Sequence, residues 1–288
     1  MSRFLDAFSQ FLSGRGHRIH RIAEYCEGGT IEQIQLSPAT PCQNIYSIAK
    51  VFTGAAVGLL VDRGMLATDD KVVKSLGSFC PENYNPRWEE TTVDMLLRHH
   101  VGLPGGFMDI DCTDANAFGE DYLSYVMNHP LRDDHGTQFS YTDASHYILS
   151  CIVESRIGMP LDDFLWRELF RPLGFRDAAW SHCPKGHVIG STGLHLRVED
   201  VVKMGAVYLQ GGVWNGRRIF SEEWVKTVME RQYEFSPYGA EDIVSKAGML
   251  GQNLVIMPRQ HRVVAWQAAA GLGQEDIKAF LREYTEEN

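Results

Sequence analysis

The sequence has no excess of basic residues, no long apolar run and no closely spaced cysteine pair. Its 27 lysines and arginines are outnumbered by 37 aspartates and glutamates, which leaves a formal charge of −10. The densest basic tract is Gly14-Arg15-Gly16-His17-Arg18, so the positive footprint that grips a phosphate backbone is missing and nucleic acid is excluded as an expected partner. The most apolar stretch, Val51 to Val61, contains Thr53, Gly54 and Gly58 and falls well short of the ~20 residues that span a bilayer. Met1-Ser2-Arg3-Phe4-Leu5-Asp6 puts an acid where a secretory leader needs an uninterrupted apolar core, and no small-residue cleavage site follows. A cytoplasmic chain that does not engage a membrane is expected.

The six cysteines, Cys26, Cys42, Cys80, Cys112, Cys151 and Cys183, include no C-x-x-C, so neither a zinc site nor a dense disulfide frame is suggested, and buried free thiols are expected. With 27 glycines and 11 prolines in 288 residues, collagen-like and disordered readings fail. The 44% of apolar residues can fill the core of one large domain or two closely joined ones.

Phe4, Leu5, Phe8, Phe11 and Leu12 form one helical stripe that Gly14 and Gly16 end. Residues 17 to 37 then alternate and turn at Glu27-Gly28-Gly29-Thr30, predicting a hairpin whose second arm is Ile31 to Leu36. After Pro38 and Pro41 the periods are helical, over 48–64, 91–98, 120–128, 143–157 and 161–170. A helix over 200–210, the turn Gly211-Gly212, a Ser221-capped helix through Val228 and two β-rich runs, Gln252 to Pro258 and Arg262 to Ala268, come next. Ile277, Phe280, Leu281 and Tyr284 mark a last amphipathic helix. The pattern predicts an α/β (α+β) fold in which 1–45 and 190–288 form a layered sheet domain and 46–189 an inserted helical domain, with a cleft between them.

Ser47-Ile48-Ala49-Lys50 opens the apolar helix, and three residues make one helical turn, so Ser47 and Lys50 share a face roughly 5–6 Å apart at Cβ. An amine there can reach the hydroxyl, and the positive pole of the helix favours its deprotonation. With 17 serines and 8 lysines, chance supplies about half of one S-x-x-K pair, so an N-capping serine beside a solvated lysine competes until context decides.

The context is an ordered series: Thr91-Thr92-Val93-Asp94-Met95-Leu96-Leu97-Arg98-His99-His100-Val101-Gly102-Leu103-Pro104, Phe139-Ser140-Tyr141-Thr142-Asp143, Pro172-Leu173-Gly174-Phe175 and Gly211-Gly212-Val213-Trp214-Asn215-Gly216. Together with Ser47 to Gly64, these residues resemble the serine β-lactamase and penicillin-binding-protein superfamily, in its class C-like esterase and peptidase branch, from about residue 40 to about 270. The resemblance implies an antiparallel sheet flanked by N- and C-terminal helices with the helical part inserted. It implies three elements around the cleft: Ser47 with Lys50, a Tyr-x-Asn loop matched by Tyr141-Thr142-Asp143, and a Lys-Thr-Gly strand. For the third, Lys246-Ala247-Gly248 precedes a matching strand and is chosen over Ala270-Gly271. The oxyanion hole implied is made by the backbone N–H groups of Ser47 and Met249, and Gly248 is expected to let an edge strand approach the substrate.

A serine hydroxyl needs a neighbour to take its proton, and either a neutral Lys50 or an ionised Tyr141 can do so. Burial and the charge of Lys246 are expected to lower Lys50, and the two ammonium groups to lower Tyr141. Asp143 in place of asparagine can only accept hydrogen bonds when ionised, adding negative charge beside Lys50 and Lys246. Ala247 lacks the hydroxyl that the resemblance assigns to binding a substrate carboxylate. The expected function is therefore an acyl-enzyme-forming serine hydrolase for an uncharged ester or small amide, without metal or cofactor, rather than a true β-lactamase or DD-peptidase. The alternative is a non-catalytic descendant that binds a small ligand or partner. His99 is expected to be structural, Trp266 to be core, and Glu82, Glu89 and Glu90 to be solvated.

Overall fold

The computed structural model of the chain describes residues 2–270 and 274–287. Both ends of the sequence build one six-stranded sheet, in the order Glu32–Gln35, Ile19–Cys26, Arg262–Ala268, Asn253–Met257, Val244–Ala247, Ser236–Pro237. Every pairing is antiparallel. Side chains alternate across a strand, so Ile22, Val255, Val264 and Trp266 face one side, while Ala23, Leu254, Val263 and Ala265 face the other.

On the first side lie the terminal helices. Ser2 Oγ accepts the Leu5 N–H at 3.0 Å and caps the helix Arg3–Leu12. Phe4, Leu5, Phe8 and Leu12 of that helix, with Ile277 and Leu281 of the helix Glu275–Glu287, are buried against the sheet. Trp266, 1% exposed, is a core residue and donates from its indole to Gly251 O. On the second side packs the helix Val198–Leu209, where a Cβ on Gly205 would come within 2.5 Å of Val263.

The middle of the chain is helical. The apolar helix Ala49–Asp62 and the helix Asp143–Ile157 are buried over most of their length. Thr142 Oγ1 caps the second by accepting the Ala144 N–H, and Gly158, at φ 68°, closes it in the left-handed region. Their side chains and the second sheet face form one continuous core. The antiparallel sheet flanked by the N- and C-terminal helices, which share one face, and the helical middle follow the expected pattern.

Several local readings need correction. A small sheet of Cys42–Asn44, Leu194–Arg197 and Ala179–Trp180 stands beside the helix Ala49–Asp62; strands of two to four residues carry too little alternation to register as a period. The segment 161–170 is an α-helix over Leu161–Leu165 that passes into a π-turn over Trp166–Phe170. The six thiols are free, but only Cys151 and Cys183 are buried and Cys112 is exposed. Glu82, Glu89 and Glu90 are exposed, as expected. Among the described residues no helix is long and apolar enough to cross a membrane.

Candidate active site

Ser47 sits in a short turn, Tyr46–Ile48, that feeds directly into the helix Ala49–Asp62. Tyr46 is held at φ 51°, with its N–H donated to Asn44 Oδ1 at 2.8 Å. A non-glycine residue in this region is strained, and such strain persists where the surroundings over-determine it. No side chain caps the turn or the helix, so the Ser47 hydroxyl is not spent on the capping role that competed for it. Ser47 is half-buried and lines the cleft.

Lys50 is fully buried, and its ammonium donates to Ser47 Oγ at 3.3 Å, Asp143 Oδ1 at 2.7 Å and Ser191 O at 2.9 Å. Three donors meet three acceptors. Burial by itself would lower the Lys50 pKa, but the Asp143 carboxylate, helped by Tyr141 and Glu234, overcomes it and holds the group above the ordinary lysine range. The expected depression is thus reversed. Lys50 is a cation at neutral pH, because the acid that replaces asparagine lies directly on it.

Tyr141 is half-buried between the two lysines, each Nζ 4.8 Å from its ring centre. Lys246 also donates to Tyr141 Oη at 3.4 Å. The strand Val244–Ala247 is not at the sheet edge, since Ser236–Pro237 pairs with its Val244 and Ser245; only the Lys246–Ala247 end is left open on that side. Gly248 is required by close approach: a Cβ there would lie 2.4 Å from Ile45 O, in the segment that leads to Ser47. Ser47 and Met249 line a common recess of 240 Å³ with Tyr141, Asp143, Asp109 and Asp111. It adjoins a cleft of 770 Å³ bordered by Ser47, Tyr141, Lys246, Ala247 and Glu234. Of the competing pair Ala270-Gly271, Gly271 lies outside the described residues. Ser47, Lys50, Tyr141, Asp143, Lys246, Gly248 and Met249, from three distant parts of the chain, are thus brought together.

Sequence reasoning missed Glu234. Its carboxylate forms a close ion pair with Lys246, accepts from His99 Nε2 at 2.8 Å and lies 3.2 Å from His146 Nε2. Burial would raise its pKa, yet the Lys246 ammonium, with the hydrogen bond from His99, holds it well below the usual carboxylate range. Glu234 stands in no motif, and its left-handed backbone, φ 67°, has no sequence signature in a non-glycine residue. His99 is structural in the expected sense: it is 3% exposed, and its Nδ1 accepts the Thr142 N–H at 3.4 Å, which leaves Nε2 as the donor to Glu234.

Among the described residues, two groups have metal-ligand proximity, His99 with His146 and Glu234, and Asp109 with Asp111 and Asp143. In each, a lysine already neutralises one carboxylate: Lys246 on Glu234 and Lys50 on Asp143. The buried histidines have a further consequence. Burial pushes His99 below its ordinary value and His146 well below it, against the opposing pull of Glu234. Groups so lowered stay neutral in the fold while the unfolded chain takes up protons below about pH 6.5, so stability falls as pH drops through that value. Thermal unfolding should therefore shift to lower temperature between pH 7 and pH 5, and by less in His146→Leu; an equal shift in both would exclude His146 as a source.

The beta-lactamase family pattern matches residues 33–277. The chain is 25% identical over 254 residues to a 6-aminohexanoate-dimer hydrolase of Paenarthrobacter ureafaciens, covering 76% of this chain and 64% of that one. It is 29% identical over 140 residues to an N-acetylmuramyl-L-alanine amidase of Bacillus subtilis, covering 46% of this chain and 32% of the relative. It thus spans less than two thirds of the length of either relative. Among solved structures, a penicillin binding protein from Bacillus halodurans superposes with a TM-score of 0.72 at 15% identity, covering 99% of both chains. A D-amino acid amidase from Ochrobactrum anthropi gives 0.73 at 16%, again covering 99% of both. At those identities the superpositions speak for the fold alone, while the sequence match extends over most of the chain. The chain belongs to the beta-lactamase family.

Proposed function

We propose that this chain is a serine hydrolase that forms an acyl-enzyme on Ser47 and acts on an uncharged ester or small amide. The carrying observation is the Ser47 hydroxyl facing an accessible cleft, 3.3 Å from the buried Lys50 ammonium. Lys50 is a cation whose protons are all engaged, so it orients the Ser47 oxygen, and the phenol of Tyr141 is the group left to relay the proton. Ser47 Oγ attacks the carbonyl as its proton passes to the ionised oxygen of Tyr141, and the phenol so formed gives that proton to the leaving group; water then repeats the sequence on the acyl-enzyme. The backbone N–H groups of Ser47 and Met249 are the donors for the developing oxyanion, a donor of this kind contributing ~2.7–4 kcal/mol elsewhere.

The substrate class rests on charge. Asp143 and Glu234 each neutralise a lysine of the site, and Ala247 offers no hydroxyl to a carboxylate. Two of the proteins this chain resembles carry the name amidase, the N-acetylmuramyl-L-alanine amidase and the D-amino acid amidase. A second reading, a non-catalytic binder, is favoured by one observation, the raised pKa of Lys50. A fluorophosphonate probe separates the two. A mass shift mapped to Ser47, absent in Ser47→Ala, supports the hydrolase; no labelling together with no 4-nitrophenyl ester hydrolysis from pH 6 to 10 would sink it.

A further inference from the structure

A lysine ammonium at the wall of a cleft beside a nucleophilic serine attracts anionic substrates unless a counter-ion is built in behind it. Here one is. Lys246, 9% exposed, turns its ammonium inward onto Glu234, whose side chain is 3% exposed. The other cations that line the cleft also meet acids, though less completely: Arg98 and Arg231 share Asp94, and Lys278 meets Glu275. Glu234 also reaches in a second direction. Its Oε1 accepts from His99, whose Nδ1 in turn accepts the Thr142 N–H, next to Tyr141. A single carboxylate therefore joins the strand that carries Lys246 to the loop that carries Tyr141. The backbone contortion at Gln232, φ 54°, and Glu234, φ 67°, is the local cost of aiming it there.

We propose that Glu234 is a specificity-determining and positioning residue: it occupies Lys246 from within the protein, so that the cleft accepts uncharged acyl groups and turns away those that end in a carboxylate, and it holds Lys246 against Tyr141. This rests on the reading of Ser47 as the nucleophile. A buried acid that neutralised Lys246 only for stability would, on removal, depress the hydrolysis of all esters alike. A counter-ion that sets specificity would, on removal, change the ranking of substrates.

The test compares two esters of equal acyl length, 4-nitrophenyl pentanoate and the mono-4-nitrophenyl ester of glutaric acid, which differ by a terminal carboxylate. The wild type should favour the pentanoate. In Glu234→Gln the ratio of kcat/KM values should move at least about tenfold towards the glutarate ester, mainly through KM, as expected when a buried charge pair is opened to a ligand. Glu234→Asp, which retains the carboxylate, should stay near the wild-type ratio. A ratio unchanged within about twofold in Glu234→Gln while both rates fall would overturn the proposal. Should Glu234→Gln not fold, the wild type alone still decides, since a preference for the glutarate ester contradicts an internally neutralised Lys246. Loss of both activities in Ser47→Ala checks the nucleophile separately, because it leaves the ratio question to the Glu234 variants.

Discussion

Lys50→Met is expected to lower kcat/KM for every ester the wild type hydrolyses by ~10²-fold, the cost of losing the ammonium that positions the Ser47 oxygen. It should also cost about 3–5 kcal/mol of stability at pH 7, because removing one partner of a buried ion pair strands the other. The stranded group is Asp143, 6% exposed, which would keep only a long contact from the Ile110 N–H at 3.5 Å. Lys50→Met/Asp143→Leu removes both charges and should recover much of the stability while remaining inactive. Urea unfolding of the three proteins at pH 7 measures this; a double variant no more stable than the single one would show that the pair is not the source. The sign of the pH dependence is fixed by the raised Lys50 pKa. A group raised in the fold contributes fully below its unfolded value of about 10.4, and the contribution disappears only as pH climbs above it. Wild-type unfolding should thus show no Lys50-dependent loss near neutrality and a progressive one in the alkaline range.

Asp143→Asn should move the rising, low-pH limb of the pH–rate profile down by at least about one unit, the lower end of what an adjacent opposite charge does to a pKa. In the wild type the carboxylate overcomes the burial that would otherwise lower Lys50. Without it, burial prevails and a neutral Lys50 becomes available to take the Ser47 proton at lower pH. The amide oxygen of asparagine can still accept from Nζ, so the variant keeps a hydrogen bond and should fold. The cleft also becomes less negative, and trace cleavage of a chromogenic β-lactam should rise. An unchanged pH profile would show that Asp143 does not control the protonation of Lys50.

Much of this site was legible before any coordinates. Ser47 and Lys50 stand one helical turn apart, a spacing that any helix converts into proximity. Tyr141 and Lys246 were reachable only through the ordered series of landmarks around them, since nothing in the 104 residues between them says that they touch. The helix Asp143–Ile157 and the strand Arg262–Ala268 were bounded by their periodicity alone. The pairing of Asp143 with Lys50 rather than with both lysines was not legible, and neither was the reversal of the Lys50 pKa, because burial and counter-charge oppose each other and only distance decides which wins.

The sequence by itself determined the elements and the address of the proposed nucleophile: an apolar helix with serine at its head, a sheet drawn from both ends of the chain, and an acid where the resemblance leads one to expect asparagine. Tertiary structure alone decided the charge balance of the cleft. Glu234 reaches Lys246 from a loop whose left-handed backbone leaves no trace in the residue order, and it is met by His99 from a turn and by His146 from the helix Asp143–Ile157. Secondary structure is written in local periodicity. The energy of a buried charge depends instead on which partners long-range folding brings within a few ångströms of it.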